Sequence, residues 1–377
     1  MPALLPDVDP DGLLEYSVVY TDRALNHMSR RFGQVMRDID EILREAYGAD
    51  AVAVVPGSGT YGMEAVARQL AGDRVCLIVR NGWFSYRWSQ ILEMGRIAQR
   101  VVVLKARPVA AGAQAGWAPP PLAEVVEAIG RERPALVFAP HVETASGMLL
   151  PDDYLRALAA AVHAVGGLFV LDGIASGAVW VDMRACGVDV LVGAPQKGWS
   201  GSPGCAFVML SQRARQAVEA SVSSSFACDL RKWLQLMDSY KAGSHGYHAT
   251  MPTDALARSR DAMVQTRAAG FETLRERQFE LGRSVRALLE AAGLPSVAAP
   301  GWQAPSVIVS HTDDPGLASG QTFAALGLQT AAGVPLQCDE GPDWRTFRIG
   351  LFGLDKLLHL ERTVDPLARV LPQALAR

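Results

Sequence analysis

Two residues of the sequence, Asp172 and Lys197, are placed where they could share one chemical task. Asp172 follows the short apolar run Gly167–Leu171, and Lys197 comes soon after a second run, Val188–Val192. Both runs are rich in apolar and β-branched residues and end at turn residues, so they predict buried strands of a parallel sheet. Side chains that follow such strands meet in the crevice at the carboxyl ends of the sheet, where α/β proteins bind ligands.

An acid and a lysine in that crevice suit one cofactor, pyridoxal 5′-phosphate (PLP). The lysine amine can form a Schiff base with the aldehyde, and the carboxylate can keep the pyridine nitrogen protonated, so that the ring accepts electrons. The same two residues are also compatible with a helix-capping Asp172 and a solvated turn at Lys197. On these two residues alone, neither interpretation is preferred.

A glycine-rich segment, Pro56–Glu64, follows a predicted strand and opens a predicted helix. Its glycines let the backbone approach an anion, Ser58 and Thr60 add hydroxyls, and the start of a helix favours a phosphate. The segment also satisfies the dinucleotide fingerprint G-x-G-x-x-G, which expects an acid at the end of the next strand. That strand instead ends in Arg80 and Asn81, which at best suit the extra phosphate of NADP. A plain structural turn is the third interpretation.

Two further loops follow predicted strands. The segment Asn81–Arg87 carries two aromatic residues, and one ring could stack on a flat cofactor, although ordinary core packing is the alternative. The loop His141–Gly147 brings a histidine, an acid and two hydroxyls together in seven residues, which favours a functional role. Glu143 taken alone could instead satisfy backbone amides.

Taken in order, these motifs resemble the class V, fold type I PLP-dependent aminotransferases, with the closest likeness to the alanine–glyoxylate and serine–pyruvate group. The matching elements are PGSGT followed by a glutamate, NG followed by aromatics, H-x-E-T-x-S-G, LD-x-x-x-S, QK, Y-H-x-T-x-P and RIG. They span residues 30–353 of the chain, and their shared order makes the resemblance specific.

The resemblance implies a catalytic or substrate-binding role for several residues. Lys197 would be the Schiff-base lysine, and Asp172 would be the partner of the ring nitrogen. Arg348, in the RIG motif, would bind the substrate carboxylate. Phe84 would be the aromatic residue that stacks on the ring, with Trp83 as the alternative if the alignment shifts by one residue.

The other matched residues would bind polar groups of the cofactor. Thr144 would donate a hydrogen bond to the ring oxygen. Four residues of the same subunit would surround the phosphate: Ser58, Gly59, Thr60 and Gln196. Tyr247 and Thr250 would reach the phosphate in the neighbouring subunit, so the resemblance implies a homodimer with shared active sites.

Alternating apolar runs and helical stretches predict a doubly wound α/β protein, and the resemblance implies that its sheet is mostly parallel with seven strands. The predicted strands are Ala51–Val55, Arg74–Arg80, Arg100–Leu104, Ala135–Ala139, Gly167–Leu171, Val188–Val192 and Cys205–Leu210.

The pattern changes after residue 253. A long helical stretch, Asp254–Ala292, leads to strands near Ser306–Ser310 and Thr346–Ile349 and to a final helix from Asp355. We therefore expect an N-terminal arm (residues 1–28), a large PLP-binding domain (residues 29–253) and a smaller α+β C-terminal domain (residues 254–377).

The composition excludes several classes of function. With 377 residues, a net charge of −3 and no basic stripe, the chain is not expected to bind nucleic acid. No apolar run approaches the length of a membrane span, and the first residues lack the pattern of a signal peptide. The five cysteines are scattered without metal-ligand spacing, which predicts no metal site and reduced thiols in a cytoplasm.

The predicted function is the transfer of an amino group from a small α-amino acid to a small α-keto acid of the pyruvate or glyoxylate type. The alternative is a PLP-dependent lyase on the same fold. A desulfurase is disfavoured, because desulfurases of this fold tend to carry histidines where this chain has Gln196 and Phe84. A PLP-binding regulator is disfavoured, because the chain has no room for a DNA-binding module.

The chain departs from the family pattern near its start. Family members usually carry a Gly-Pro-rich segment there that lines the substrate pocket, but residues 16–29 read YSVVYTDRALNHMS. Asn26 and His27 either face the pocket or have packing and capping roles. The substrate is therefore not predicted beyond its class, and the Pro/Ala/Gly-rich surface loop Pro108–Pro121 has no predicted function.

Overall fold

The computed structural model describes residues 13–376, and its central feature is a seven-stranded sheet. The strands are β1 (Ala51–Pro56), β2 (Val75–Arg80), β3 (Arg100–Lys105), β4 (Leu136–Pro140), β5 (Leu168–Asp172), β6 (Val190–Gly193) and β7 (Cys205–Leu210). Their order across the sheet is β1-β7-β6-β5-β4-β2-β3. Strand β7 runs antiparallel to both of its neighbours, and the other pairs are parallel. The predicted mostly parallel sheet of seven strands is confirmed.

The strands in the middle of this sheet are buried along their whole length. Every residue of β4, β5, β6 and β7 is buried, which is why these segments read as continuous apolar runs rather than as alternating ones. Only β3, at the edge, is partly exposed throughout. A polar residue at the end of a central strand is therefore held by a rigid, dehydrated support.

Helices join and cover these strands. They are Arg30–Tyr47, Gly59–Leu70, Trp83–Met94, Leu122–Glu132, Asp152–Ala164, Met183–Cys186, Gln212–Glu219 and Leu230–Lys241. The first helix shows the local rules clearly: the Ser29 hydroxyl accepts a hydrogen bond from the Phe32 amide at 3.0 Å, and Gly48 ends the helix in the left-handed conformation (φ 64°).

The C-terminal part of the chain is a smaller α+β unit. Its antiparallel sheet has strands β8 (Val307–His311), β9 (Ala331–Ala332) and β10 (Thr346–Gly350), in the order β8-β10-β9. Its helices are Thr253–Ala269, Phe271–Ala291, Pro315–Ser319, Gln321–Ala325, Leu354–Leu358 and Glu361–Leu375. The smaller α+β unit is confirmed, whereas the exact domain boundaries stay a prediction.

The predicted helical stretch Asp254–Ala292 forms two helices, which are separated at Gly270, whose φ of 87° lies outside the helical region and lets the chain turn. The prediction of one final helix from Asp355 is wrong. The single final helix from Asp355 is also divided, because His359 leaves the helical conformation (φ −137°, ψ 74°) between two helices. In both places the amphipathic pattern continues across a residue that interrupts the helix.

The loop Pro108–Pro121 is less irregular than its composition suggests. Arg107–Pro108 pairs with Trp117–Ala118 in a short antiparallel ladder, and the Trp117 side chain is buried. Trp117 belongs to an apolar cluster that joins the loops at the carboxyl end of the large sheet to strand β8. Phe84 and Phe352 pack against the same cluster, which fixes the C-terminal unit close to the predicted site.

No helix within residues 13–376 combines the length and the apolar character that crossing a membrane requires.

The close fit of helix Gly59–Leu70 to the sheet generates the first prediction. A Cβ at Gly62 would come within 2.6 Å of the Ala206 Cβ and 3.1 Å of Val192 Cγ1. Gly62→Ala should therefore destabilise the fold by about 1–3 kcal/mol through overpacking, seen as a lower midpoint of thermal unfolding. Gly130→Ala is the matched control, because that helical position has no heavy atom within 4 Å, and alanine should stabilise it by up to about 1 kcal/mol. Equal midpoints for the two variants would contradict this packing.

Candidate active site

The register of the sheet brings the two chemically important loops together. Asp172 ends β5, and its partners across the ladder are Pro140 of β4 and Val192 of β6. The loop that carries Thr144 leaves β4 on one side of Asp172, and the turn that carries Lys197 leaves β6 on the other. Parallel strands place both segments at the same edge, as the sequence predicts.

Eight of the predicted site residues line one cavity of about 140 Å³ at this edge. These eight are Ser58, Gly59, Thr60, Phe84, Thr144, Asp172, Gln196 and Lys197. Other residues complete the wall: Met63, Arg87, Val142, Ile174 and Ala175. A larger cavity, of about 740 Å³, lies beside the exposed edge strand β3 and contains none of the predicted residues. We take the smaller cavity as the site because the chemically matched side chains converge there.

Asp172 is a buried carboxyl group with little local compensation. Its side chain accepts one hydrogen bond, from the Ile174 amide at 3.0 Å. Burial raises the pKa of Asp172 to about 7, although the Ile174 amide and the charges of Arg87 and Lys197 act in the opposite direction. A carboxyl group in this state would be stabilised as an anion by a further positive group brought against it.

Lys197 lies across the cavity in an environment that disfavours its charge. Burial lowers the pKa of the Lys197 amine, and the positive charges of Arg348 and Arg87 lower it further, while Asp172 acts against them. Its Nζ is 4.8 Å from the centre of the Phe352 ring. An amine with a lowered pKa is more often uncharged near neutral pH, and the uncharged amine is the nucleophile.

The start of helix Gly59–Leu70 forms an anion-binding corner of the cavity. Ser58 is the N-cap residue, yet its side chain makes no capping hydrogen bond and so leaves its hydroxyl for a ligand. A Cβ at Gly59 would come within 2.5 Å of Ile174 Cδ1, so a larger residue here would require the Ile174 side chain to move. Thr60 Oγ1 accepts a hydrogen bond from Arg87 Nη1 at 3.0 Å. Helix amides and side-chain hydroxyls together suit a phosphate.

Glu143 holds the aromatic wall in place. Its buried carboxylate accepts hydrogen bonds from the amides of Phe84 at 3.1 Å and Ser85 at 2.9 Å, and from the Ala145 amide at 3.0 Å. Glu143 therefore satisfies backbone amides, the second of the two interpretations from the sequence. By doing so it fixes the start of helix Trp83–Met94, from which the Phe84 ring lines the cavity; Trp83 does not line it.

Arg348 lies beside the cavity rather than in its wall. Its Nε donates to the Ala332 carbonyl at 2.8 Å, and its guanidinium carbon is 5.6 Å from the centre of the Phe84 ring. Burial lowers the pKa of Arg348, and the negative charge of Glu143 opposes that shift. Within residues 13–376 its two terminal nitrogens have no hydrogen-bond partner, so they are available to a carboxylate.

Four further residues named from the sequence lie outside this cavity. Tyr247 is 57% exposed, and its hydroxyl is 3.2 Å from that of Thr250 on the surface of the chain. Asn26 donates to Glu15, and the His27 ring is buried against Tyr247 and other aromatic side chains. Within this one chain, Asn26 and His27 have packing and hydrogen-bonding roles, and Tyr247 and Thr250 do not approach the cavity.

Sequence reasoning missed two neighbours of the reactive groups, Arg87 and Phe352. Arg87 stands three residues after Phe84 on the same helix face, and this spacing is the signal that could have identified it. Phe352 follows Arg348 by four residues, but no local pattern indicates that its ring reaches Lys197. The NADP interpretation loses its support, because the Arg80 guanidinium already donates to the Gln337 carbonyl at 3.1 Å and to the Ser89 hydroxyl at 2.8 Å.

Comparisons with known proteins give a matching family and several similar chains. The model of the family described as aminotransferase class-V matches residues 12–312. A 2-aminoethylphosphonate–pyruvate transaminase of Paraburkholderia phymatum is 30% identical over 341 residues, which cover 88% of this chain and 84% of the relative. An L-aspartate–glyoxylate aminotransferase of Paracoccus denitrificans is 30% identical over 276 residues, or 72% of this chain and 66% of the relative.

A solved structure has the same fold. The alanine–glyoxylate aminotransferase of Nostoc sp. superposes with a TM-score of 0.78 at 24% sequence identity, over 93% of this chain and 88% of that one. At this level of identity the likeness shows the fold alone.

The raised pKa of Asp172 generates the second prediction. Because the pKa is about 7 in the folded protein and near 3.8 in the unfolded chain, the folded state binds this proton more tightly. The free energy of unfolding of the ligand-free protein therefore falls as the pH rises from about 4 to about 7. Asp172→Asn removes the cost of ionising this buried carboxyl group. The variant should therefore be more stable than wild type at pH 8, by on the order of 2–4 kcal/mol, and as stable as wild type at pH 4.

Thermal unfolding at several pH values measures this difference, and Asp50→Asn is a control of opposite sign. Burial alone would raise the pKa of Asp50, but hydrogen bonds from Arg184 and the Gln212 amide lower it overall. Removing that carboxylate should cost stability at neutral pH. If Asp172→Asn were also destabilising at pH 8, ionisation of Asp172 would not destabilise the folded protein, and the prediction would be wrong.

Proposed function

The chain belongs to the aminotransferase class-V family, and we propose that it uses PLP to transfer the amino group of a small α-amino acid to a small α-keto acid such as pyruvate or glyoxylate. The observation that carries the proposal is the convergence of Asp172, Lys197 and a phosphate-binding corner in one cavity, with Arg348 beside it. The two relatives named above are described as acting with pyruvate and with glyoxylate, which supports this class of acceptor.

The residues around the cavity fit PLP in four respects. Asp172 is a buried acid that forms no ion pair within residues 13–376, and Lys197 is an amine whose pKa is lowered. Phe84 offers an aromatic face, and Ser58 has an unused hydroxyl at a helix start. When bound, PLP supplies an aldehyde that takes up amino groups and a ring that withdraws electrons from the α-carbon of the substrate.

The two reactive side chains would divide the proton chemistry. Lys197 would hold the cofactor covalently between turnovers, and its amine would move a proton to and from the α-carbon as a general base and acid. The lowered pKa of Lys197 supports this role, since the amine must be uncharged to accept a proton. Asp172 would hold a proton at the ring nitrogen, because opposite charges stabilise each other strongly where water is excluded.

The other residues would orient the cofactor and exclude water. Ser58, Gly59 and Thr60 would bind the phosphate at the helix start, with Gln196 beside them. Thr144 would donate to the ring oxygen, and Phe84 would cover one face of the ring. This division of labour is supported by the position of all six side chains or backbones in the wall of the same cavity.

Arg348 would choose the substrate and the bond that reacts. Its planar fork can pair with both oxygens of an α-carboxylate, a fit that the point charge of a lysine does not reproduce. A carboxylate held in this way is retained, which favours loss of the α-proton over loss of carbon dioxide. The unpartnered terminal nitrogens of Arg348 within residues 13–376 support this role.

The complete site would be shared in a homodimer. Tyr247 and Thr250 lie on the surface of their own chain and away from its cavity, as expected for groups that complete the phosphate site of the partner. A twofold arrangement would satisfy both sites at once.

Two further features complete the proposal. A large PLP-binding domain would cover residues 29–253 and a smaller domain residues 254–377, supported by the separate sheets of the two parts. A cytoplasmic location is supported by the five cysteines, which are buried and unpaired.

The reaction itself provides the main test. Single amino acids should convert the yellow enzyme to its pyridoxamine form, and pyruvate or glyoxylate should convert it back, with ping-pong kinetics. Arg348→Lys should weaken the binding of amino acid and keto acid together, each by about 10–100-fold, because both use the same fork and lose its bidentate geometry. If amino acids instead release ammonia or a β-substituent without forming the pyridoxamine form, the protein is a lyase.

Subunit mixing tests the shared site. A Lys197→Ala chain and a Tyr247→Phe/Thr250→Ala chain should each be weakly active or inactive alone. Their hybrid dimers should recover activity, because one of the two sites then has every group intact. Shared active sites would be ruled out if verified hybrid dimers recovered no activity. They would also be ruled out if sedimentation showed that the fully active protein is a monomer.

A further inference from the structure

Arg87 lines the cavity without a role in the chemistry described so far. Building on the proposed function, we propose that Arg87 is a direct ligand of the cofactor phosphate and makes the site selective for a phosphorylated cofactor. Arg87 and Lys197 are the two cationic side chains in the cavity wall. Since Lys197 is engaged with the reacting carbon, Arg87 is the cation left for the phosphate.

The position of Arg87 relative to the anion-binding corner supports this assignment. Its Nη1 donates to Thr60 Oγ1 at 3.0 Å, and Thr60 is the second residue of the helix whose start favours an anion. The guanidinium is therefore held at the phosphate end of the cavity by a hydroxyl that belongs to the same corner.

The guanidinium also has unused binding capacity. Within residues 13–376 the Arg87 guanidinium makes one hydrogen bond, to Thr60, and forms no ion pair with a carboxylate. A guanidinium has five donor hydrogens in a planar fork, so four remain for another acceptor. Phosphate oxygens match that fork better than any neutral group does. A partly buried cation that forms no ion pair is stabilised when a phosphate monoester, with a charge of about −1.5 to −2, arrives beside it.

The Phe84 ring keeps Arg87 in this orientation. The guanidinium carbon is 5.3 Å from the ring centre, within the range of a cation–π interaction. Because the two residues are three positions apart on helix Trp83–Met94, the helix places both on the same face. One helix would thus present the surface for the ring of the cofactor and the charge for its phosphate.

A bracing role is the competing explanation. In that case Arg87 would only hold Thr60 and Phe84 in place. It would then contribute equally to the binding of PLP and of pyridoxal. The two explanations differ in one measurable respect, the preference for PLP over pyridoxal, which lacks the phosphate.

The experiment titrates apoenzyme with PLP and with pyridoxal and follows the absorbance of the bound cofactor. Four proteins are compared: wild type, Arg87→Met, Arg87→Lys and Arg348→Met. Arg348 is a control for the loss of a nearby positive charge, because its guanidinium carbon is 5.6 Å from the same Phe84 ring and its charge, like that of Arg87, lowers the pKa of Lys197. Thermal unfolding of each apoenzyme shows whether it is folded.

Arg87→Met should raise the Kd for PLP by about 10–100-fold, the size expected for a lost charge-assisted pair, and leave the Kd for pyridoxal within about threefold. Arg87→Lys should fall between wild type and Arg87→Met. Arg348→Met should change both values by the same factor, because it acts on Lys197 in both cases, so the preference for PLP over pyridoxal should be kept. An equal loss of affinity for PLP and pyridoxal, or no loss for either, would overturn the proposal.

Inorganic phosphate provides an independent arm that does not require a bound ring. It should compete with PLP for the wild-type apoenzyme and compete at least tenfold less well for Arg87→Lys, which keeps the charge but loses the fork. Equal competition in the two proteins would overturn the role of Arg87. A wild-type protein that binds no PLP would instead overturn the proposed function itself, so the two failures are distinguishable.

Discussion

The burial of the Asp172 carboxyl group is the constraint on which the proposed site depends. The group ends a central strand, flanked by β4 and β6, and its raised pKa shows that the folded protein opposes its ionisation. An acid on a surface loop would turn toward water and stay ionised. The rigid, fully buried sheet instead keeps the Asp172 carboxyl group away from water, so that a positively charged ligand can stabilise its anion. The buried carboxyl group lowers the stability of the folded protein near neutral pH, and it makes the cavity favourable for a positively charged group.

The charges on the other side of the cavity follow the same logic. Arg348 and Arg87 both lower the pKa of Lys197, so the cations that would bind anionic groups also keep the reactive amine available. Phe84 lies between the two guanidinium groups, 5.3 Å from one and 5.6 Å from the other. Glu143 fixes this ring through backbone amides instead of entering the chemistry. Binding and reactivity are therefore coupled through a few fixed charges around one aromatic ring.

Much of this arrangement could be predicted from the sequence, because buried parallel strands leave a strong local signal. All seven strands of the large sheet correspond to apolar runs, and the residues just after them converge as parallel topology requires. The single final helix from Asp355 was wrong, since an amphipathic pattern does not record the one residue, His359, that interrupts the helix. Arg87 and Phe352 were missed because their roles depend on where a long or bulky side chain ends in space. The sequence left Glu143 undecided, and its hydrogen bonds decide it.

The central claim is that Lys197, facing Asp172 across the cavity, carries the cofactor. The most direct measurement is borohydride reduction of the PLP-loaded protein followed by proteolysis and mass-spectrometric mapping of the pyridoxyl group. A single modified peptide with the pyridoxyl group on Lys197 is the predicted result. Stoichiometric labelling of any other lysine, with Lys197 unmodified, would contradict it.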